Sequence, residues 1–224
     1  MKIYFIHGFG ENEAIFDKIA PAIADNKVFI NVWEMLGTQP REGLNILNFA
    51  QEVIAKYNIT ADDVVIGHSM GGWIAYHIKY FAQCRIIQIA SWTDGDKILS
   101  PIKDPKTLYW LTRNGLYVNN FVLWLFGLTY KGLPSAPYFR EAFERLIAAD
   151  REAVVNQMKL MVEPIEKISV TPDLRIHALK DKVIRYPDEP FHEVPGDHFT
   201  LVTHPETVIE PINRFLSVSE AVLN

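Results

Sequence analysis

The chain of 224 residues is predicted to fold as an α/β protein with an open, mainly parallel sheet of about six strands. Short apolar runs alternate along the chain with stretches in which apolar residues recur every three or four positions. The runs lack the polar alternation of a half-exposed strand, which is typical of strands buried on both faces of a parallel sheet. Helices are therefore expected to cover both faces of the sheet.

Six runs have the composition of strands, and helical spacing falls between several of them. The runs are residues 3–6, 28–33, 64–66, 85–89 and 174–178, with a weaker one at 191–194. Helical spacing is found in residues 14–24, 46–57, 72–78 and 208–218. This alternation of strands and helices predicts βαβ crossovers.

The alternation stops between residues 97 and 165, where helical spacing returns without a strand. This segment is predicted to be an inserted helical cap, and residues 1–96 and 166–224 form one core domain. Trp124 and Phe143 are candidates to bind substrate, because some cap aromatics should line an apolar pocket while others pack the cap onto the core. Ten aromatic residues are found in this part of the chain: Tyr109, Trp110, Tyr117, Phe121, Trp124, Phe126, Tyr130, Tyr138, Phe139 and Phe143.

Composition and charge exclude several classes of partner. The net charge is -5 and the basic residues are dispersed, so neither nucleic acid nor an anionic bilayer is an expected partner. Cys84 is the single cysteine, which excludes an internal disulfide and fits a reducing compartment. The apolar run at residues 3–6 is too short for a signal peptide, and residues 121–128 are too few to span a bilayer. A cytoplasmic protein is expected, and its oligomeric state stays open.

The pentapeptide Gly67-His68-Ser69-Met70-Gly71 is the most informative motif, because it follows an apolar strand and opens a helical stretch. A serine on such a strand-to-helix turn is the arrangement of an activated nucleophile. The flanking glycines are expected to be required because a larger residue would collide with the neighbouring strand or helix. Ser69 is therefore the candidate nucleophile, and Gly67, His68 and Gly71 are expected to support it.

The sequence His7-Gly8-Phe9-Gly10 directly follows the first predicted strand. Its glycines allow a sharp turn that could aim a backbone N–H group into the site. The N–H groups of Phe9 and Met70 are predicted to form the oxyanion hole. His7 and Gly8 are expected to support this turn, with the His7 ring bonded to nearby backbone.

The serine needs a general base, and His198 follows the last predicted strand in a turn that contains Pro195 and Gly196. Such a loop can project an imidazole toward the nucleophile. His192 and His204 are alternatives, the first in or before the strand and the second at the start of the terminal helix.

A carboxylate should hold the tautomer of the base. Asp181 comes just beyond the strand at residues 174–178, at the carboxyl edge where open α/β sheets place ligands. Asp94 follows the preceding strand and is the main rival, although it also has the position of a turn or capping residue. Asp197 is the least favoured candidate, because it is adjacent to His198 and neighbouring residues on an extended loop point apart.

These motifs, in the order Ser69, Asp181, His198, resemble the α/β-hydrolase superfamily over nearly the whole chain. The resemblance implies that fold without its first two strands, and a cap like the lid of small carboxylesterases, including the pimeloyl-acyl-carrier-protein methyl ester esterases. It implies hydrolysis of carboxylic esters of small to medium apolar acyl groups through an acyl-enzyme. The residues from Gly196 to Phe199 resemble acyl-carrier thioesterases, so a thioesterase is an alternative. A lyase with the same triad and a non-catalytic small-ligand receptor also stay open.

No metal and no organic cofactor are expected. The sequence has no Cys/His cluster or HExxH motif, and its Gly-x-Gly lacks the further residues of a dinucleotide site. No large exposed apolar lid surface is evident from the sequence, so activity at a lipid interface is not expected either. A small-molecule ester is the predicted substrate.

Overall fold

The computed structural model describes residues 1–23 and 26–223, with side chains described up to residue 217. Within this part the chain forms one six-stranded sheet in the order β2-β1-β3-β4-β5-β6, and every pair of neighbouring strands is parallel. The strands are β1 (Ile3–Ile6), β2 (Lys27–Ile30), β3 (Val64–His68), β4 (Arg85–Ile89), β5 (Leu174–His177) and β6 (His192–Glu193). The predicted open parallel sheet is confirmed.

Two predicted strands are each two residues shorter than the apolar runs that indicated them. The run at residues 28–33 leaves the sheet after Ile30, because the Asn31 side chain accepts the N–H of Glu34 and starts a helix at Val32. The weak run at 191–194 contributes only His192–Glu193. Apolar composition gave no sign of the Asn31 cap, which overrides the strand preference of its neighbours.

The helix predicted over residues 14–24 is wrong. Its place is taken by two short 3-10 helices, Glu13–Phe16 and Ala20–Ala22, while Ala24 lies outside the described residues. Pro21 stands inside this stretch and has no N–H to continue an α-helical hydrogen-bond ladder. Ile15 and Phe16 are nevertheless buried, which explains the helix-like spacing of the apolar residues.

Helices cover both faces of the sheet, as predicted. Helices α2 (Ile46–Tyr57) and α3 (Met70–Ala82) share one hydrophobic cluster with the side chains on one sheet face. The 3-10 helices, α8 (Thr200–Thr203) and α9 (Pro205–Leu223) share another cluster with the opposite face. Within the described residues no helix is long and apolar enough to cross a membrane. The α-helices are α1 (Val32–Leu36), α2 (Ile46–Tyr57), α3 (Met70–Ala82), α4 (Pro105–Arg113), α5 (Asn120–Gly127), α6 (Ala136–Ala148), α7 (Arg151–Val162), α8 (Thr200–Thr203) and α9 (Pro205–Leu223).

Residues 97–165, called the cap segment below, contain α4 to α7 and contribute no strand to the described sheet. Helices α4 and α7 share a hydrophobic cluster that includes Leu108, Val155 and Met158. Helix α7 also contacts the core helix α3, since the indole N–H of Trp73 donates to the Leu160 carbonyl over 2.8 Å. The cap segment therefore packs against the end of the molecule where β1, β3 and β4 finish.

Candidate active site

Ser69 stands between the last residue of β3 and the first residue of α3, in a strained backbone conformation. Its φ of 52° and ψ of -121° lie in a region that residues other than glycine rarely adopt. Two hydrogen bonds hold it there: its N–H donates to the Ile89 carbonyl over 3.0 Å, and the Ser91 hydroxyl donates to its carbonyl over 2.7 Å. The turn presents the Ser69 side chain at the carboxyl edge of the sheet.

The glycines around Ser69 are explained by contacts too close for a side chain. A Cβ atom on Gly67 would lie 2.3 Å from the backbone of Gly71, and one on Gly71 would lie 1.9 Å from the Ile6 carbonyl oxygen. A Cβ on Gly72 would lie 2.5 Å from the side chain of Ser91. The obstacles are mostly backbone, so a larger residue at Gly67 or Gly71 would displace β1 or α3.

Three predicted residues from distant parts of the chain form a hydrogen-bonded row. The Oγ of Ser69 lies 3.0 Å from Nε2 of His198, and Nδ1 of His198 lies 2.8 Å from Oδ2 of Asp181. The other carboxylate oxygen of Asp181 accepts the N–H groups of Val183 and Ile184 over 2.8 and 2.9 Å. All three side chains of the row are buried, with Asp181 only 1% exposed.

The electrostatics of the row set the charges of its members. Burial by itself lowers the pKa of His198, but the charge and hydrogen bond of Asp181, together with Glu11 and Asp197, raise it above the ordinary 6.5. Burial likewise opposes ionisation of Asp181, yet His198 and the hydrogen bonds lower the pKa of this carboxyl below its ordinary value. Asp181 is thus an anion fixed against a basic imidazole.

The two rival acids are engaged elsewhere. Asp94 caps the 3-10 helix Gly95–Lys97, where it accepts the N–H of Asp96 over 3.0 Å and pairs with Lys167 over 3.1 Å. Asp197 accepts the Phe199 N–H over 3.1 Å and a short hydrogen bond from the hydroxyl of Ser135, at the start of α6. Neither carboxylate contacts the His198 ring, so the geometry favours Asp181.

The two rival bases also lie away from Ser69. His192 is in β6, where it pairs with Ile176 of β5. His204 lies between α8 and α9, with its Nδ1 3.0 Å from the hydroxyl of Thr203. His198 is the histidine that the fold brings to Ser69.

The predicted oxyanion loop passes directly beside the nucleophile. A Cβ atom on Gly8 would lie 2.9 Å from Cβ of Ser69. Within the described residues, the N–H groups of Phe9 and Met70 donate no hydrogen bond, and Met70 is the first residue of α3, where N–H groups have no intrahelical acceptor. Two free donors next to a serine hydroxyl could stabilise a developing oxyanion.

His7 supports this loop in the way the sequence predicted. Its Nδ1–H donates to the Gly8 carbonyl over 2.9 Å, and its Nε2 accepts the Val32 N–H over 3.4 Å. Burial lowers the pKa of His7, so the ring is neutral and suited to one donated and one accepted bond. His7 makes no contact with Ser69 or His198.

A buried Glu11–His68 pair links three parts of the site. One Glu11 oxygen accepts the Gly8 N–H over 2.6 Å and lies 2.8 Å from Nδ1 of His68, whose Nε2 lies 2.9 Å from the His198 carbonyl oxygen. Burial opposes ionisation of Glu11, but the neighbouring His68 and its hydrogen bond lower the pKa of this carboxyl. Both ring nitrogens of His68 therefore face oxygen acceptors, one in a carboxylate and one in the backbone.

Glu11 belongs to no motif, and no sequence signal could have paired it with His68.

The oxyanion loop is also tied to the cap segment at Gly10, whose φ is +73°. The Gly10 N–H donates to the Gln157 side chain over 3.2 Å, and the Gly10 carbonyl accepts from the Arg145 guanidinium over 2.9 Å. Helices α6 and α7 therefore hold the loop that carries the Phe9 N–H.

A cavity of about 770 Å³ opens in front of Ser69 and reaches under the cap segment. Its wall is mainly apolar, and Lys182 is the one lysine or arginine among the described lining residues. Five of the ten aromatic residues singled out in the sequence line it: Tyr117, Phe126, Tyr130, Phe139 and Phe143.

Phe143 lies in the cavity wall, as expected, but the expectation for Trp124 is corrected by the structure. Trp124 is 60% exposed, packs on the ring of Phe121 and does not line the cavity. Phe126, on another side of the same helix, takes the lining position and meets Phe143 edge to face. Composition indicated an aromatic cap but could not distinguish the faces of α5.

No family model matches the chain, and no curated protein matches it either. The chain does match solved structures, and this similarity shows that it has the α/β-hydrolase fold. It is similar to a hydrolase from Oleispira antarctica, with a TM-score of 0.69 and 15% identity over 96% of this chain and 90% of that one. It is also similar to a bromoperoxidase from Bacillus anthracis, with a TM-score of 0.68 and 16% identity over 96% and 91% of the two chains.

A third similar structure is a thermophilic esterase from Thermogutta terrifontis. Its TM-score is 0.68, with 16% identity over 98% of this chain and 90% of that one. At such identities the likeness defines the fold alone. Function must therefore be argued from the site.

Proposed function

We propose that this protein is a serine hydrolase that cleaves carboxylic esters of small to medium apolar acyl groups. The observation that carries the proposal is the buried row from Ser69 Oγ through His198 to Asp181, which faces an apolar cavity beside two unpaired backbone N–H groups. A receptor would need the cavity but not this row. The row therefore favours catalysis over binding alone.

In the proposed reaction, Ser69 Oγ attacks the ester carbonyl carbon while its proton passes to Nε2 of His198. The carbonyl oxygen becomes an oxyanion that the N–H groups of Phe9 and Met70 stabilise. Collapse of this intermediate breaks the bond to the alkoxy group, which leaves with the proton from His198. A water molecule then attacks the acyl-enzyme in the same way and releases the carboxylic acid.

The cavity supports an apolar ester as the substrate. We propose that the cap segment, residues 97–165, forms a lid over the core, because its aromatic residues supply much of the cavity wall. An acyl-CoA thioester carries several phosphates that need cationic partners. Among the described lining residues, Lys182 is the one lysine or arginine that could pair with them. We therefore place the thioesterase second.

The reaction needs no metal or organic cofactor, and the buried free thiol of Cys84 supports a reducing compartment such as the cytoplasm.

Turnover of p-nitrophenyl butyrate and labelling by a fluorophosphonate test the proposal directly. We expect hydrolysis, and we expect the probe to add its mass to the peptide that contains Ser69. Burial raises the pKa of the Cys84 thiol to about 12, so this residue should not react. No turnover together with no label on Ser69 would reject the proposed function.

The rate should depend on the charge of His198. Only neutral His198 can accept the serine proton, so kcat/KM is expected to rise with pH as the imidazolium loses its proton. Because Asp181 and nearby carboxylates raise the pKa of His198, the midpoint of this rise should lie above 6.5. A pH profile of kcat/KM with a short ester measures it, and a midpoint below 6.5 contradicts the assigned surroundings.

The acyl chain should fill the apolar cavity. Each buried methylene contributes about 0.8 kcal/mol, so kcat/KM should rise by up to about fourfold per methylene along p-nitrophenyl acetate, butyrate and hexanoate. It should fall again once the acyl group exceeds the cavity. Shortening the cavity-lining Phe143 to alanine should lower kcat/KM most for the longest accepted ester and leave acetate within a few fold.

Trp124→Ala is the matched control for Phe143→Ala. It removes an aromatic side chain from the same cap segment, but from a ring that lies outside the cavity. The chain-length profile of this variant with soluble esters should equal that of the wild type. Equal profiles for Phe143→Ala and the wild type would instead show that Phe143 does not contact the acyl group.

A further inference from the structure

Residues 114–130 form a long stretch of the chain without a single charged residue or histidine. Helix α5 lies within this stretch, and none of its residues is buried. An apolar helix without a buried residue is unusual, because packing of an apolar face normally supplies most of a helix's stability in a globular protein. One side of α5 is thus left without a partner in the described structure.

The exposed residues of α5 and the next turn form one stripe. Phe121, Trp124, Leu125 and Leu128 are 67%, 60%, 46% and 50% exposed. They follow the spacing i, i+3, i+4, i+7, which places them on one helix face. Single exposed apolar residues are common, but a contiguous stripe of large ones marks a surface that binds something. The sequence predicted no such lid surface, so that expectation is corrected.

The opposite side of α5 faces the catalytic cavity. Phe126 lines the cavity and its ring meets that of Phe143 with centroids 6.5 Å apart. Thr129 and Tyr130, which follow α5, also line the cavity. Helix α5 therefore lies between the outer stripe and the cavity in front of Ser69.

The size and surroundings of the stripe favour a lipid surface over a second copy of the chain. Four side chains of this size, about half exposed, offer on the order of 400 Å², whereas each partner of a stable protein complex contributes about 800 Å². Lys131 directly follows the uncharged stretch, is exposed and forms no ion pair within the described residues. Lys182 is also exposed and donates to the Thr129 carbonyl over 2.5 Å.

An apolar stripe that contains tryptophan and phenylalanine, with lysines at one end, matches the boundary between headgroups and acyl chains of a bilayer. Its rings would lie among the acyl chains, and the lysines would meet anionic headgroups. A lipid surface needs no contour that matches the helix, so a narrow stripe is sufficient for weak, reversible binding.

The dispersed basic residues of the sequence did not lead us to expect an anionic bilayer as a partner, but the exposed stripe changes that expectation. We propose that the stripe formed by Phe121, Trp124, Leu125 and Leu128 docks the protein on the surface of a lipid bilayer that contains anionic lipid. Docking itself does not depend on catalysis. Its use rests on the proposed function: a docked α5 would place the cavity of Ser69 next to esters dissolved in the lipid phase.

Cosedimentation with vesicles made of equal parts phosphatidylcholine and phosphatidylglycerol tests the docking. The wild type should bind, and the double variant Phe121→Gln/Trp124→Gln should bind about tenfold more weakly or worse. Tyr80→Gln/Phe81→Gln is the matched control, because these two aromatic residues are also exposed, at 43% and 36%, but lie at the end of α3. The control should bind vesicles like the wild type.

Three results would overturn the proposal: no binding of the wild type, equal binding of the stripe variant, or equal losses for the stripe variant and its control. Sedimentation velocity without vesicles addresses the alternative occupant. We expect the same mass for wild type and stripe variant, whereas a wild-type dimer that the stripe variant dissociates would assign the stripe to a second copy.

The inactive variant Ser69→Ala separates this proposal from the proposed function. It should bind vesicles like the wild type, because Ser69 lies in the cavity and not on the stripe. Conversely, the stripe variant should keep wild-type turnover of soluble p-nitrophenyl acetate and a wild-type melting temperature. If the wild type bound vesicles but hydrolysed no ester, the docking proposal would stand and the proposed hydrolase function would be rejected.

Discussion

Ser69→Ala is expected to lower ester turnover by about 100,000-fold or more, because without the hydroxyl no acyl-enzyme can form. The fluorophosphonate label should disappear with it. Residual turnover near the level of His198→Ala is expected from the oxyanion donors and substrate binding alone. Steady-state hydrolysis of p-nitrophenyl butyrate, with active-site titration of the wild type, measures the ratio.

The stability of the same variant should be close to that of the wild type. Ser69 donates one hydrogen bond, to His198 in a cavity, and packs no core. Ser69→Gly is the informative companion, because a φ of 52° and a ψ of -121° strain any side chain, and such strain costs about 1–3 kcal/mol. After its larger loss of chain entropy, the glycine variant should exceed Ser69→Ala in free energy of unfolding by about 1 kcal/mol.

Denaturant unfolding of the two inactive variants gives this comparison. A glycine variant no more stable than the alanine variant would mean that the turn is not strained. Activity retained in Ser69→Ala at more than a thousandth of the wild-type level would remove Ser69 as the nucleophile, whatever the stabilities show.

The parts of this site that the sequence predicted are those fixed by local geometry. Gly67 and Gly71 are required by backbone contacts within a few residues of Ser69 and with β1, so their spacing alone identifies the turn. Asp181 and His198 could be proposed because parallel strands all end at one sheet edge, where residues that follow them must meet. The six apolar runs predicted the sheet because strands buried on both faces lack polar alternation.

The parts that the sequence could not predict depend on the packing of distant segments. Glu11 pairs with His68 across 57 positions of the chain, and nothing near either residue marks the pair. Gln157 and Arg145 reach Gly10 only because α6 and α7 fold over the oxyanion loop.

The orientation of α5 was hidden for a related reason. Apolar residues occur all around this helix, so periodicity could not separate Phe126, which lines the cavity, from Trp124, which is exposed. The helix at residues 14–24 failed for the opposite reason. Its apolar spacing was helical, but Pro21 broke the ladder and two 3-10 turns bury the same side chains.

Asp181→Asn is expected to lower turnover by about 10,000-fold with little change in the fold. The asparagine oxygen can still accept the N–H groups of Val183 and Ile184, so the loop should keep its shape. The amide would then present N–H to Nδ1 of His198, which favours the tautomer with a proton on Nε2. That nitrogen faces Ser69 and could no longer accept its proton.

Asp94→Asn and Asp197→Asn are the matched controls, since each makes the same chemical change at an aspartate that the structure places away from the His198 ring. Asp94→Asn should stay within a few fold of the wild type, and Asp197→Asn should lose less than Asp181→Asn. Asp181→Asn should also move the pH midpoint of its residual activity downward, because the charge that raises the pKa of His198 is gone. An inactive Asp94→Asn beside a near-normal Asp181→Asn would assign the acid to the strand before the cap segment.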